Sequence, residues 1–572
     1  MSRFSLKNPS SKFAIPSASL ALDTYIETND WEATHELARD YLDIEEWEKK
    51  EFSKKVFLAA ADAFYKIVEE KHKQRDYGAT VKLANEFIED YSASPRLQDC
   101  LSLAGNSALA LGEKDMALGY FTKLIDTSPS GEVAPAALLA RAAIEEERYQ
   151  FLEASRDYRQ YVSLNKQSDS KIAKKILILA WFSGELSELR LALDSPVICN
   201  HDLAEECDLY SAFSILQSSK TEEGVVQKAI SKSKKGFDKS KAVWATIALR
   251  HLKEIEFSQR LLLVKRIAGN WDKLDPFSQF ALIPFISELI PKAIEASRLS
   301  ISSVAPLRAD PRHISRRVEW MREIENTATR AMKLPWTRIR ALALNEVAAL
   351  YLDFAKSLQT LKAPKSLPEN ELAEYQETVS KIILPFEEKG QDLRGKAFEI
   401  ASKAAIEIDS FNLIAKPFFK DNPSQAKTYK LETEIATVAS LDMRFIYEFD
   451  SWSGWNSKVK EKVAKSSDQS KRARVEIRNA LLRKNFGELA FLLQEAKEKK
   501  LLEADIIGII RGVSLAVAGA QAEALSELDQ VCADSDDSGT REELAKALVD
   551  YYERAFAADK VQALRKRFLT SS

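Results

Sequence analysis

The sequence predicts an all-α fold in which short antiparallel helix pairs stack on one another. The first observation is a stretch of small, aromatic and proline residues at fixed spacings, LSLAGNSALALGEKDMALGYFTKLIDTSP (101–129). The second is the return of similar spacings elsewhere in the chain. The third is composition: glycine and proline number 17 each among 572 residues, which is fewer turn residues than a many-stranded β fold requires.

Five residues of this stretch predict a helix, a turn and a second helix. Gly105 and Ala117 are small, which indicates that the two helices cross closely there. Gly112 falls in the expected turn, where a residue without a Cβ adopts a positive φ at little cost. Phe121 is expected to fill the space between this helix pair and the next. Pro129 is expected to end the second helix, because it lacks an N–H and clashes with the preceding turn.

The spacing of these residues resembles the tetratricopeptide (TPR) repeat, a helix–turn–helix unit of about 34 residues. Leu101 and Ala108 stand where that family usually has large aromatic residues in its first helix. The resemblance implies a right-handed α-solenoid of stacked antiparallel helix pairs. Such stacks expose a concave groove, lined by the first helices of the pairs, in which protein partners bind.

Repeats of this unit are expected on both sides of it. Ala79 and Ala154 lie 38 and 37 residues from Ala117, and Tyr158 follows Ala154 by four residues, as Phe121 follows Ala117. Near the C-terminus the 7, 5 and 4 spacing returns in Gly512, Gly519, Ala524 and Leu528. Three units in near register and a distant fourth favour a solenoid over chance similarity.

Four segments are predicted along the chain. They are a loose N-terminal arm (1–22), TPR-like helical repeats (23–235), a middle helical block with longer helices (236–448) and a C-terminal TPR-like block with a capping helix (449–572). The arm lacks hydrophobic periodicity. DSWSGWNS (450–457) marks the last boundary, where Trp452 and Trp455 are expected to be wedged at a domain junction.

Composition excludes several classes of partner. The formal net charge of −3 provides no general attraction to nucleic acid or to an anionic membrane. The apolar runs IGII and ILILAWF are too short to span a bilayer. The first 20 residues lack the continuous apolar core of a secretory signal. We therefore expect a cytoplasmic protein, or a periplasmic one if a leader was removed upstream of Met1.

Lysines are dense between Lys232 and Lys241, where Asp238 is the one acidic residue. One interpretation is a solvated helix end followed by a loop. The other is a patch that docks an anionic partner. Five lysines in such a segment predict nucleic-acid binding only weakly.

No catalytic motif stands out in the sequence. It contains neither HExxH nor Gly-x-Ser-x-Gly. Gly105 and Gly112 are seven residues apart and precede Glu113, which does not fit a phosphate-binding loop. One loose cluster of potential metal ligands comprises Cys199, His201, Asp202 and Cys207. Structural zinc sites usually bring four ligands in closely paired sets, which this cluster lacks, so we expect no metal. Because no catalytic motif is present either, we expect no enzyme activity and no cofactor.

Partner binding is expected on the first helix of the 101–129 unit. Ser102, Asn106 and Leu109 are the expected inward positions, with Asp99 at their edge. Asn106 matches an asparagine with which TPR proteins often hold the backbone of a bound peptide; the alternative is an ordinary polar residue on a helix surface. Leu109 and Ala110 replace the cations of carboxylate-clamp TPR proteins. The groove is therefore expected to be apolar and to bind an amphipathic helix or an apolar peptide.

A second resemblance covers residues 366–405, including Tyr375, Pro385 and Phe386. This stretch is similar to one found after the repeats of large TPR proteins in gliding and predatory bacteria. The resemblance implies a scaffold in a motility, polarity or envelope complex. Two alternatives remain. One is a regulator or adaptor that recruits an enzyme or a small GTPase, and the other is an enzyme with its site in the middle block.

Overall fold

The computed structural model describes residues 2–48, 51–165, 169–218, 224–234, 236–303, 307, 310–363, 368, 371–403, 408–423, 468–483, 485–518, 520–536, 538–554 and 558–569. Within these ranges the regular structure consists of 26 α-helices and four short 3₁₀ helices, without a β-strand. The predicted all-α fold is confirmed. The chain forms two compact units, Met1–Leu203 and Ala204–Ser572.

The first unit is a chain-ordered stack of helices. Its helices are α1 (Ser2–Lys7), α2 (Ala14–Glu27), α3 (Trp31–Leu42), α4 (Glu51–Lys73), α5 (Tyr77–Asp90), α6 (Leu97–Ala110), α7 (Lys114–Thr127), α8 (Ala134–Glu147), α9 (Phe151–Asn165), α10 (Ser170–Phe182) and α11 (Leu186–Leu193). From α2 to α11, each helix packs on the helix that follows it in the chain. In addition, α4 contacts both α2 and α6, the first helices of the neighbouring pairs. This sequential packing of helix pairs is that of a solenoid.

One residue with a left-handed backbone marks each of the five pair turns described in this unit. These residues are Asn29 (φ 56°), Arg75 (φ 62°), Gly112 (φ 80°), Tyr149 (φ 58°) and Gly184 (φ 74°). Each stands two positions before the second helix of its pair begins. The same backbone shape therefore reverses the chain in every pair, although only two of the five residues are glycine.

The prediction of a loose arm at 1–22 is wrong. Residues 2–22 form α1 and most of α2, whose Ala14, Ala18 and Leu22 lie on one helix face and are fully buried. The indole N–H of Trp47 donates to the Pro9 carbonyl at 3.0 Å and ties the connection between α1 and α2 to the stack. Small alanines carry this apolar face, which is why its periodicity is inconspicuous in the sequence.

The second unit contains longer helices as well as short pairs. Its helices are α12 (Ala204–Gln217), α13 (Val225–Ser233), α14 (Lys239–Leu249), α15 (Phe257–Gly269), α16 (Pro276–Ser303), α17 (Pro311–Ala331), α18 (Thr337–Gln359), α19 (Leu372–Lys403), α20 (Ile408–Asp421), α21 (Gln469–Leu482), α22 (Phe486–Glu498), α23 (Ala504–Val517), α24 (Gln521–Asp534), α25 (Ser538–Arg554) and α26 (Ala558–Phe568). The longest are α16 with 28 residues and α19 with 32.

Helix α16 is the central helix of this unit. It packs against α14, α15, α17, α18 and α22. Among the described residues it is the one helix that is long and apolar enough to cross a membrane, over Phe277–Ile301. In the apolar 18-residue window of this span, 56% is buried inside the protein. A helix enclosed by several neighbours is apolar on more than one side, because more than one side faces the core.

The predicted segment boundaries differ from the two observed units. The boundary expected at 235/236 falls inside the second unit, between α13 and α14, which pack on each other. The boundary expected at 448/449 lies outside the described residues, as do Trp452 and Trp455. That part of the segmentation stays a prediction.

Candidate functional site

The predicted binding residues lie on α6, whose opposite face is buried. Leu101, Ala104, Gly105 and Ala108 point into the core of the first unit, and each is completely or almost completely covered. A helix with an apolar stripe on one side places its remaining residues on the other. The core stripe therefore determines which α6 side chains face outward.

Gly105 lies directly against Phe121 of α7. A Cβ at position 105 would come within 2.5 Å of the ring atom Cε1, closer than real Cβ contacts allow. Phe121 thus fills space inside its own helix pair, and it belongs to the same buried cluster as Ala134, Ala137 and Leu138 of the next pair. The expectation that it also fills the space between the two pairs stays a prediction. Ala117, also fully buried, lies one turn before Phe121 on α7.

The other marked positions of this unit lie at its ends. Gly112 is the left-handed turn residue between α6 and α7. Helix α7 ends at Thr127, and Pro129 follows its C-cap residue Ser128. The carbonyl of Pro129 accepts a hydrogen bond from the Gln160 side chain of α9 at 3.4 Å.

The upstream repeat position is shifted by one residue. Thr80, not Ala79, is fully buried, and Thr80 stands 37 residues before Ala117. Ala79 is half-buried, and its N–H donates to the capping carboxylate of Asp76 at 3.1 Å. The cap sets where α5 begins, and this start moves the core position from 79 to 80. Downstream, Ala154 is fully buried in α9.

Tyr158 stands one turn after Ala154 and is buried in α9. Its hydroxyl donates to Glu146 at 3.1 Å, and the Lys175 ammonium lies 5.3 Å from the centre of its ring. Burial, and then the nearby Glu146 carboxylate, raise the pKa of Tyr158. This ring is therefore a fixed structural contact between α8, α9 and α10.

The distant match has the same close approach in the second unit. A Cβ at Gly512 of α23 would meet Leu528 of α24 at 2.7 Å. Ala524 is fully buried one turn before Leu528, as Ala117 is one turn before Phe121. Gly519 lies outside the described residues.

The outward face of α6 carries the four predicted binding residues. Asn106 is exposed, while Asp99, Ser102 and Leu109 are half-buried. No hydrogen bond joins the Ser102 or Asn106 side chain to the described part of the chain. Leu109 packs against the buried cluster formed by α5, α6, α7 and α8, so it belongs partly to the core.

A charged cluster joins this face to α4. The Arg96 guanidinium donates to Asp62 of α4 at 2.7 Å and to Asp99 at 3.3 Å, and it lies 5.4 Å from the centre of the Tyr65 ring. Hydrogen bonding to Asp62 raises the pKa of Arg96. Burial, and then the Asp99 and Glu69 carboxylates, raise the pKa of Tyr65 to about 12. The cluster therefore holds Asp99 at a fixed place beside Ser102.

Glu69 continues the polar surface along α4. Its Oε2 atom forms ion pairs with the Lys66 ammonium at 2.9 Å and the Lys73 ammonium at 3.0 Å. Partial burial opposes ionisation, but the hydrogen bonds from the two lysines outweigh it and lower the pKa of Glu69. One turn away, a ring nitrogen of His72 and the Ser107 hydroxyl lie 2.8 Å apart and link α4 to α6.

We call Asp62, Glu69, Asp99, Ser102 and Asn106, with their bridging cation Arg96, the α4–α6 surface. It is polar and carries both signs of charge. Most large apolar residues of α4 and α6 are buried, but Leu58 of α4, one turn before Asp62, is 45% exposed. The expected apolar groove therefore stays a prediction. The sequence analysis did not identify Asp62 and Glu69 on α4 as part of this surface. Asp62 and Arg96 are 34 residues apart, and this repeat-length spacing could have indicated that they lie side by side.

The lysine segment is partly neutralised by neighbouring acids. Lys232 pairs with Asp208 at 2.8 Å, and Lys241 pairs with Asp238, which also caps α14. Lys235 lies outside the described residues. No group of three or more His, Cys, Asp or Glu residues is arranged to hold a metal ion in the described part of the chain.

No family model matches the chain, and no curated protein matches it. A chain in the structure of Naa15/Naa10 bound to HypK-THB is similar with a TM-score of 0.26 and 14% identity, over 88% of this chain and 68% of that chain. Yeast Tom70 is similar with a TM-score of 0.20 and 14% identity, over 89% of this chain and 99% of that chain. At such low TM-scores, the description of the fold rests on the chain's own helices.

Proposed function

We propose that this protein is a noncatalytic scaffold that binds a protein partner through the α4–α6 surface. The observation that carries the proposal is that this surface holds one acidic side chain in a fixed position next to two polar side chains that lack a hydrogen-bond partner among the described residues. Arg96 fixes Asp99 between two helices, while the Ser102 and Asn106 side chains beside it make no hydrogen bond to the described residues. Polar side chains at such a place are free to satisfy the groups of a partner.

The chemistry of these side chains suits a peptide backbone. A primary amide such as that of Asn106 both donates and accepts hydrogen bonds, so it pairs with a peptide N–H and C=O together. Asp99 accepts from a backbone N–H or a basic side chain at the edge of the surface. The mixed charge favours a partner segment that carries both signs of charge.

The most specific version of the proposal is a component of a bacterial motility, polarity or envelope complex. Its support is the resemblance of residues 366–405 to TPR proteins of gliding and predatory bacteria. Recruitment of an enzyme or a small GTPase is the alternative role for the same surface. The two roles differ in the identity of the bound partner.

Affinity capture from the native cells tests the surface itself. The tagged full chain, its Asn106→Arg variant and a Lys123→Ala control on the exposed side of α7 are compared by quantitative mass spectrometry. Asn106→Arg places a bulky cation in the middle of the surface without touching the core. We expect a stoichiometric partner that is retained by the control and depleted by about tenfold or more with Asn106→Arg, since about 1.4 kcal/mol of binding free energy corresponds to tenfold.

Equal capture by all three proteins would overturn the proposed surface. Separate capture from cytoplasmic and periplasmic fractions identifies the compartment of the complex. A partner with catalytic or GTPase activity would select the recruiting role, and a set of structural proteins would select the assembly role.

A further inference from the structure

A cleft of about 430 Å³ lies in the second unit between α16, α22 and α23. Its floor is apolar and its rim polar. The apolar lining comprises Phe280, Ala490, Leu493, Ala504, Ile507 and the backbone of Gly508. We call this space the α22–α23 cleft. Its volume is in the range of known ligand sites, about 300 to 1,000 Å³.

Small residues keep the cleft open. Ala490 and Ala504 line the cleft, and larger side chains at these two positions would reach into the gap between α22 and α23. Gly508 serves the other side of its helix, because a Cβ at 508 would meet Val531 of α24 at 2.4 Å.

The lining residues form two stripes of equal length. On α22 they run from Ala490 to Lys497, and on α23 from Ala504 to Arg511. Each stripe covers seven residue steps, or about 10 Å at about 1.5 Å per residue. Two antiparallel stripes of this length form a groove that matches two turns of a docked helix. An amphipathic helix places its apolar residues into such a groove at three- and four-residue spacings.

The rim has a cation at each end of the groove. Lys497 makes no ion pair with the described residues, and its side chain is exposed. Arg511 is half exposed, and its guanidinium Nε lies 3.5 Å from a Glu527 carboxylate oxygen, so it has donors left for a further carboxylate. Because α22 and α23 run antiparallel, Lys497 and Arg511 lie at opposite ends of the cleft. The complementary ligand has carboxylates about two turns apart with apolar residues between them.

We propose that the α22–α23 cleft binds an acidic amphipathic helix of a protein partner. The apolar residues of this helix enter the space above Phe280 and Leu493, and its carboxylates pair with Lys497 and Arg511. The site is independent of the α4–α6 surface. The protein then has a second docking site of different chemistry, apolar and anion-selective instead of polar and mixed in charge.

Fluorescence anisotropy with synthetic peptides tests this proposal on the full chain. The probe is a panel of fluorescein-labelled helical peptides with Leu, Ile or Phe at the buried positions and Glu at two positions seven residues apart. A matched panel carries Lys in place of Glu. We expect saturable binding of at least one acidic peptide and binding of its basic counterpart that is weaker by about tenfold or more.

Three variants locate the binding. Ala504→Trp fills the cleft and Lys497→Glu reverses a rim charge, so both should weaken the acidic peptide by about tenfold or more. Lys471→Glu, on the exposed side of α21, is the charge-matched control and should leave affinity unchanged. The Asn106→Arg variant should bind the peptide normally, which separates this site from the α4–α6 surface. Circular dichroism melting confirms that each variant is folded.

Three results would overturn the proposal. They are no saturable binding of any acidic peptide by the unmodified chain, equal binding of acidic and basic peptides, and unchanged affinity in folded Ala504→Trp and Lys497→Glu variants.

Discussion

The ring of Phe121 lies so close to Gly105 that a Cβ on residue 105 would come within 2.5 Å of the ring. The two residues belong to the two helices of one pair, and both are fully buried or nearly so. In the second unit, Leu528 approaches Gly512 in the same way, with 2.7 Å to the corresponding Cβ position. A large side chain on the second helix and a glycine on the first are therefore one packing device that both units use.

Gly105→Ala is expected to lower the free energy of unfolding by about 1–3 kcal/mol, because Phe121 or the helix backbone must shift to admit the methyl group. The matched control is Gly119→Ala in α7, where a Cβ meets nothing within 4 Å. Alanine is the better helix former, so the control should gain up to about 1 kcal/mol. Urea denaturation of both variants measures the difference. A destabilisation of equal size at both positions would contradict the packing argument.

Substitutions at two of the turn residues are expected to change the stability of the protein in different directions. Gly112→Ala places a Cβ at φ 80° and should destabilise the protein by about 1 kcal/mol. Arg75→Gly relieves the same strain at φ 62°, and the relief should equal or exceed the entropy that glycine gains in the unfolded chain. Thermal unfolding should therefore show a lower Tm for Gly112→Ala and an equal or higher Tm for Arg75→Gly. A lower Tm for both variants would show that Arg75 makes a contact that offsets its backbone strain.

Glu145 predicts an unusual pH dependence. It is buried in α8, its Oε2 atom has no hydrogen-bond partner among the described residues, and the nearby Arg141 is bound to Asp157 at 2.5 and 2.7 Å. Burial, and then the Asp157 carboxylate, raise the pKa of Glu145 to about 8. Between about pH 4.5 and 8 the unfolded chain ionises this group while the folded chain keeps it protonated. Its contribution therefore lowers stability as pH rises through that window.

Glu145→Gln removes this titration and keeps the volume of the side chain. Relative to the unmodified protein, the variant should gain about 1–3 kcal/mol of unfolding free energy between pH 5 and pH 8. Glu89→Gln, at an exposed position of α5, is the control and should show no such trend. Urea titrations at several pH values provide the measurement. A constant difference across the window would mean that Glu145 ionises normally in the folded protein.

Asp208 is expected to change the stability with pH in the opposite direction to Glu145. It accepts hydrogen bonds from Lys232 at 2.8 Å, from the Trp244 indole at 2.9 Å and from Ser240. Burial opposes ionisation, but these hydrogen bonds outweigh it and lower the pKa of Asp208. The stabilisation is therefore present above the unfolded pKa of about 3.9 and is lost as pH falls through the lower folded pKa.

Asp208→Asn should cost about 1.5–3 kcal/mol at pH 7, the usual range for hydrogen bonds to a charged group. The loss should shrink in acid, where the unmodified protein also loses the charge. Asp272→Asn, at an exposed position, is the control. Unfolding monitored at pH 7 and near pH 3 tests the prediction. A loss that stays the same size at both pH values would show that Asp208 contributes through shape and not through charge.

Local spacing was sufficient to predict the helices and their pairing, because helix faces and turns are encoded by neighbouring residues. The register of one repeat was missed by a residue, because the cap at Asp76 decides where α5 begins. The arm was missed because alanines, not large apolar residues, bury the face of α2. In each case the deciding contact is made by a residue that is inconspicuous in the sequence.

The binding features could be predicted only in part. The outward face of α6 follows from helix periodicity, so Ser102 and Asn106 could be chosen from the sequence. Arg96 and Asp62 come together only when α4 and α6 pack side by side. The α22–α23 cleft depends on three helices, one of them about 200 residues away in the chain, and no local pattern records a space between them.

The chain-ordered packing of the first unit has a consequence for how it is made. Each helix from α2 to α11 finds its partner in the segment synthesised immediately before it. Contacts close in sequence form quickly, because little chain entropy is lost in making them. The unit can therefore grow on the ribosome one pair at a time, and each finished pair offers the emerging helix an apolar surface on which to fold.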